Sequence, residues 1–269
     1  MNIDCPLCKK SMTFNYKGIY NRCGFKDYKF SLLKCEDCDF YGTWPKPTNE
    51  VYPQSRDESK AFIEIDTSPW NNRLLKKIKK HKESGKLLEI GCNSGDFINM
   101  AKDNGYEVFG IEIDEVAAKQ GISKGRNMIH GDFLKMNITE KYDIIVANHV
   151  LEHIPEIELI PKALKEVLAP NGVVIINVPN IDGNIVKIMK QNWCQMAPFT
   201  HIWFFTKKSM HKLFRKDFES IQLTTNTHCE PDGLFPLSIK TIVKYIIIHL
   251  SNLIGMGDEL SLVAKSPKP

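Results

Sequence analysis

Leu87-Leu88-Glu89-Ile90-Gly91-Cys92-Asn93-Ser94-Gly95-Asp96-Phe97 is the stretch that decides how this 269-residue chain is read. A short apolar run ends at Gly91, a turn of small residues follows, and a helical pattern opens at Asp96 with Phe97, Met100 and Ala101 on one face. Gly91 and Gly95 lack a Cβ, so the chain can turn sharply and a ligand can lie against it. Upstream, Ser68-Pro69 starts a helix, with serine as cap and proline in its first turn, and Leu74, Leu75 and Ile78 form its apolar stripe. Downstream, 106–113 alternates as a second strand, 128–131 is a brief third, and 142–147 is an unbroken apolar fourth. The last suits a parallel sheet covered on both faces. Pro155 opens a helix over 157–168, Pro170-Asn171-Gly172 closes it, and 173–178 is a fifth strand. This alternation predicts right-handed βαβ units and a doubly wound, Rossmann-like, mostly parallel α/β sheet. Ligands on such sheets bind beyond the carboxyl ends of the strands, where strand order reverses.

The charges around the turn select among ligands. Glu112 ends the second strand about 20 residues past the loop, where a carboxylate can accept both hydroxyls of a ribose. A dinucleotide loop needs G-x-G-x-x-G; this one offers Gly91, Asn93 and Asp96 instead. An aspartate at the helix start repels a pyrophosphate. Glu89 and Asp96 together suit a ligand carrying an ammonium and a sulfonium, which favours S-adenosylmethionine over NAD.

With these residues in place, the segment resembles the first motif of the class I S-adenosylmethionine-dependent methyltransferases. Further segments follow in that family's order: Gly110-Ile111-Glu112-Ile113-Asp114, Gly131-Asp132-Phe133, 142–154 and Leu168-Ala169-Pro170-Asn171-Gly172, so the likeness spans about 85–265. Asn93 stands where the family usually has a middle glycine, and asparagine tolerates a left-handed backbone. The resemblance implies a seven-stranded sheet closed by a returning edge hairpin, with 257–265 as its final strand. It also implies S-adenosylmethionine as cofactor, with Glu89, Gly91, Asn93 and Gly95 beside the methionine part, Glu112 and Ile113 at the ribose, and Asp132 and Phe133 at the adenine. Asn148 or His149 would border the methionine end at the fourth strand. Asp132 read on its own is also a candidate cap for the following turn.

The N-terminal residues read differently. Cys5-Pro6-Leu7-Cys8 and Cys35-Glu36-Asp37-Cys38 are two C-x-x-C pairs, and four thiolates complete a closed tetrahedral zinc site that activates no water. Zinc would supply stability that so small a segment lacks. The expected organisation is a zinc-ribbon-like module over 1–44, a proline-containing linker over 45–68, and a methyltransferase domain over 69–269 with an inserted helix at about 238–255. Cys23, Cys92 and Cys194 read as isolated thiols.

Methyl transfer from a sulfonium is an in-line displacement that needs a base only when the acceptor is a hydroxyl or an activated carbon. His201, in an aromatic stretch after the fifth strand, is the first candidate, and His149 and His153 are the others. Ala147-Asn148-His149-Val150 is not the Asn-Pro-Pro-Tyr run of exocyclic amine methylation, and no Pro-Cys nucleophile stands there. The segment 38–47 resembles the linker of methyltransferases with an N-terminal zinc ribbon, several families of which act on sugars, natural products or glycans. The resemblance implies a small-molecule or glycan hydroxyl as acceptor, with carbon, RNA methylation and a non-catalytic scaffold as the competing readings. A net charge of +4 with scattered lysines gives no basic stripe for a nucleic-acid partner, and Lys76, Lys77, Lys79, Lys80 and Lys82 read as a solvated helix face. The apolar stretch 239–254 is too short and too polar to span a bilayer and suits a sheet cover, a homodimer face or a peripheral membrane contact. No export signal is evident at the N-terminus, so a cytoplasmic protein with reduced cysteines is expected.

Overall fold

A computed structural model describes residues 3–21, 26–47, 68–227, 246 and 250–267. The chain begins with four antiparallel strands, β1 (Ile3–Asp4), β2 (Ser11–Tyr20), β3 (Tyr28–Cys35) and β4 (Phe40–Trp44). The helix α1 (Ser68–Lys79) then leads into β5 (Gly85–Ile90), α2 (Asp96–Asp103), β6 (Tyr106–Glu112), α3 (Glu115–Ser123) and β7 (Met128–His130). Next come β8 (Tyr142–Asn148), α4 (Ile160–Val167), β9 (Leu168–Pro179) and α5 (Asn184–Met189). The last elements are β10 (Trp203–Phe204), α6 (Lys207–Phe214), β11 (Phe218–Asn226) and β12 (Glu259–Pro267).

Seven strands form one sheet in the order β11-β12-β9-β8-β5-β6-β7. The five strands from β9 to β7 run parallel, and β12 lies antiparallel to both β9 and β11. From β5 the chain winds outward through β6 and β7, then returns to place β8 on the other side of β5. The crevice at the carboxyl ends of β5 and β8 is therefore the switch point where such sheets hold ligands.

Alternation along the strands sorts side chains to two faces. Leu87, Val108, Ile144, Val146 and Ile175 pack with Leu74, Leu75 and Ile78 of α1 and Phe97, Ile98 and Ala101 of α2. Leu88, Ile90, Ile111, Ile145, Val174 and Leu262 pack on the opposite face with α4 and with Met210, Leu213 and Phe214 of α6. That second core is continuous with Cys5, Met12, Cys35, Cys38 and Phe40 of the N-terminal strands.

The structure differs from the expectation in four places. The helix predicted over 157–168 is α only from Ile160, because Pro161 belongs in a first turn rather than an interior, and Leu168–Gly172 joins β9. The helix α6 had no counterpart in the sequence reading, although Thr206 and Ser209 form a reciprocal capping box at its start. The small sheet is not confined to 1–44: β10 pairs with β4, so residues 203–204 complete it as a fifth strand. Cys194, read as an isolated thiol, is disulfide-bonded. Most of the predicted 238–255 helix lies outside the described residues; of its described residues, Ile246, Leu250, Leu253 and Ile254 are exposed. No helix among the described residues is long and apolar enough to cross a membrane.

Candidate active site and cysteine cluster

The turn after β5 is built from three left-handed residues, Gly91 (φ 69°), Asn93 (φ 50°) and Gly95 (φ 82°). Gly91 N and Cys92 N donate to the Ile111 carbonyl, at 2.8 and 3.3 Å, which ties the turn to the end of β6. A Cβ on Gly91 would lie 2.4 Å from Val150 Cγ2, so only glycine fits between this turn and the one after β8. Glu112 is buried and braces the turn. One carboxylate oxygen accepts from Asn93 N at 2.7 Å and the other from Asp114 N at 2.8 Å. Each oxygen retains a lone pair for a ligand hydroxyl. Ile113, next along, is exposed.

Glu89 lies under the turn, 6% exposed, and its Oε2 has no hydrogen-bond partner. Burial, with Glu112 and Asp96 adding repulsion, pushes its carboxyl up to about 8. A buried carboxylate oxygen lacking a donor, beside a cradle that a methyl group would fill, fits a ligand bringing an ammonium. Asp96 was counted with Glu89 as a partner for a cationic ligand. Here its carboxylate pairs with Arg126 at 2.5 Å, and Arg126 also donates to the Ser94 carbonyl. Its charge is already compensated, so the attraction for a cation falls to Glu89.

Glu89 makes stability depend on pH. Its unfolded carboxyl titrates near 4.5 and its folded one near 8, so below pH 4.5 both states are neutral and nothing is lost. Between those values the unfolded chain releases a proton that the folded one keeps, and stability falls by on the order of 4–5 kcal/mol by pH 8. Glu89→Gln is expected to raise the melting temperature of the ligand-free protein at pH 9 far more than at pH 5. Equal shifts at both values would refute this account.

Asp132 and Phe133 follow β7. Asp132 caps its own turn, accepting from Leu134 N at 3.0 Å, and pairs with Lys135 at 2.7 Å, while Phe133 is buried. At the end of β8, Asn148 Oδ1 accepts from Asn177 Nδ2 at 2.8 Å, and His149 adopts a left-handed backbone (φ 55°) that turns its ring inward. His149 Nδ1 lies 3.3 Å from Glu152 and Nε2 lies 3.3 Å from Glu259. Burial alone would lower its pKa, but the bonds and charges of the two carboxylates hold it up at about 10. Reciprocally, His149 holds Glu152 down at about 2 against the effect of burial.

A cleft of about 110 Å³ opens here, lined by Trp70, Arg73, Lys77, His149 and Glu259 among others. Lys77 is a correction to the solvated face read from the lysine run. It lies three residues past Leu74, on the apolar stripe of α1, and its amine bonds Ser261 Oγ and reaches Asn177 Oδ1 at 3.5 Å. Helical spacing from Leu74 was the signal that could have found it. His201 and His153 do not line the cleft. His201 is 6% exposed, burial pushes it down to about 3, and its ring stands edge-on to His153 with centroids 4.8 Å apart. His153 Nδ1 lies 3.0 Å from the Thr200 carbonyl.

The four cysteines of the N-terminal strands come together. Sγ of Cys5 lies 3.8 Å from Cys38 and Sγ of Cys8 lies 3.5 Å from Cys35, and all four sulfurs fall within 4.8 Å of one another. A tetrahedron of thiolates at about 2.3 Å from zinc has edges of about 3.8 Å, so the donor set fits that ion. The two loops are alike: Lys9 and Asp39, each following the second cysteine, are both left-handed. Burial raises Cys5 and Cys38, and Lys212 from α6 donates to Cys38 Sγ at 3.0 Å. The same strands hold the segment before β10, since Thr43 Oγ1 donates to the His201 carbonyl at 2.8 Å and Thr43 N to the Ile202 carbonyl at 2.9 Å.

Comparison with known proteins agrees with this architecture. Residues 64–222 match a family model described as a methyltransferase domain. A ubiquinone biosynthesis O-methyltransferase of Pasteurella multocida is 28% identical over 115 residues, covering 35% of this chain and 46% of that protein. A ribosomal protein L11 methyltransferase of Agathobacter rectalis is 31% identical over 179 residues, covering 51% of this chain and 55% of that protein. The chain thus spans about half the length of each. The crystal structure of a SAM-dependent methyltransferase from Archaeoglobus fulgidus superposes with a TM-score of 0.55 at 21% identity, covering 75% of this chain and 95% of that one, a likeness of fold.

Proposed function

From the premise that this chain belongs to the methyltransferase-domain family, we propose that it transfers a methyl group from S-adenosylmethionine to a hydroxyl of a small-molecule or glycan-type acceptor. The observation that carries this reading is the pairing of a glycine turn over the orphaned Glu89 carboxylate with a polar cleft at the neighbouring strand end. When bound, the cofactor supplies an electrophilic methyl on a positively charged sulfur. Gly91, Asn93 and Gly95 would let it lie against the backbone, Glu89 would face its ammonium, Glu112 would take the ribose, and Asp132 with Phe133 would border the adenine. Lys77, Arg73 and Asn177 offer donors and acceptors to a hydroxylated acceptor.

We place the proton acceptor at the Glu259 carboxylate, which borders the cleft with His149, whereas His201 and His153 do not line it; His149, held protonated between Glu152 and Glu259, positions that carboxylate. The Glu259 carboxylate would take the proton that the acceptor hydroxyl gives up. Glu152 keeps the His149 ring aligned from the other side. His149→Gln is expected to lower kcat by about 10²–10³ while the Kd for S-adenosylmethionine changes by less than about threefold. Unchanged turnover would return the role to His201.

The four-cysteine cluster is read as a structural zinc site, since four protein thiolates leave no position for substrate. Calorimetry with S-adenosylmethionine tests the enzyme reading itself, and no binding at millimolar ligand would end it. A thermal-shift screen of nucleotide sugars and other polyols in the presence of S-adenosylhomocysteine then identifies the acceptor class.

A further inference from the structure

The short turn Leu151–His153 and the segment before β10 bring together a second group of ligating side chains, separate from the cysteines. Glu152 is fully buried; its Oε1 faces His149, and its Oε2 has no hydrogen-bond partner. His201 is buried as well, and its Nδ1 has none. Two unpartnered polar atoms in one buried cluster each carry a desolvation cost that a ligand would relieve. The hydrogen bond from His153 Nδ1 to the Thr200 carbonyl fixes its tautomer and ring orientation, as backbone carbonyls do for metal-binding histidines. One ligand atom from each of Glu152, His153 and His201 lies within 4.8 Å of the others, so small side-chain rotations bring them around one ion.

We propose that Glu152, His153 and His201 bind a divalent first-row transition ion in a site distinct from the four-cysteine cluster. Two imidazoles and one carboxylate form a donor set suited to manganese, iron, cobalt or zinc, unlike the soft thiolates of the N-terminal strands. Three protein ligands leave at least one position open to a water or a hydroxyl, so the site is not closed in the structural sense. With His149 protonated between them, Glu152 and Glu259 leave one net negative charge beside the site, which favours a cation. Metal binding at this site holds whichever acceptor is methylated.

Manganese distinguishes this site from the cysteines, because it favours oxygen and nitrogen over thiolate. The full-length protein, purified with zinc in the cysteine cluster, would be titrated with Mn²⁺ and the free-ion electron paramagnetic resonance signal followed. One equivalent is expected to bind, with Glu152→Gln and His153→Ala each weakening it by about tenfold or more. Cobalt substitution is expected to add visible d–d absorption without the thiolate charge-transfer intensity of the cysteine site. Because Glu152→Gln alters a fully buried group, His153→Ala, at a half-buried one, carries the test should the first fail to fold. It is also expected to abolish the rise in melting temperature that Mn²⁺ gives the parent protein. An undiminished free-ion signal with the parent protein, or a His153→Ala variant that binds as tightly, would overturn the proposal and leave a water-filled polar hole in its place.

Discussion

Gly91→Ala is expected to weaken S-adenosylmethionine binding by about a hundredfold or more, the largest effect of any single methyl group added to the cofactor site. Two penalties coincide at this position. A left-handed backbone costs an L-residue about 1–2 kcal/mol, and the new Cβ would meet Val150 Cγ2 at 2.4 Å. That clash pushes apart the turns after β5 and β8, which are the two walls of the crevice. A control separates strain from site geometry. Gly105 is also left-handed (φ 89°), yet a Cβ there meets nothing within 4 Å. Gly105→Ala is expected to lower stability by about 1 kcal/mol and leave cofactor affinity unchanged. Calorimetry on the two variants decides the matter, and equal affinities would show that the turn does not hold the cofactor.

Cys35→Ser is expected to lose the zinc ion and to reduce methyl transfer by about two orders of magnitude, with S-adenosylmethionine affinity within about threefold of the parent. A closed thiolate site contributes on the order of 10 kcal/mol or more to the fold around it. Its loss loosens β1 to β4, and with them the Thr43 bonds that fix the His201 and Ile202 carbonyls and the pairing of β4 with β10. The cofactor turn after β5 draws its hydrogen bonds from β6, so it is insulated. A substitution serves better than a chelator here, because a chelator would also empty the site proposed at Glu152, His153 and His201. Zinc content and turnover are to be measured on one preparation: a zinc-free variant with full activity would mean that the strands merely decorate the enzyme.

The sequence determined the winding of the sheet and the location of the cofactor turn. Both follow from local facts: apolar runs of strand length, glycines at left-handed positions, an acid at the next strand end, and cysteine pairs at metal-binding spacing. Such features act over a few residues, so periodicity and spacing reveal them. Tertiary structure decided how the pieces share work. Asp96 looked available to a cation until Arg126, 30 residues away, was seen to hold it. Lys77 looked solvated until α1 packed against β9 and β12. The pairing of β4 with β10 joins strands about 160 residues apart, and His149, Glu152, Glu259 and His201 converge from three separate segments. No pattern within a single segment encodes such contacts, because they depend on the burial that only the folded sheet and its layers provide.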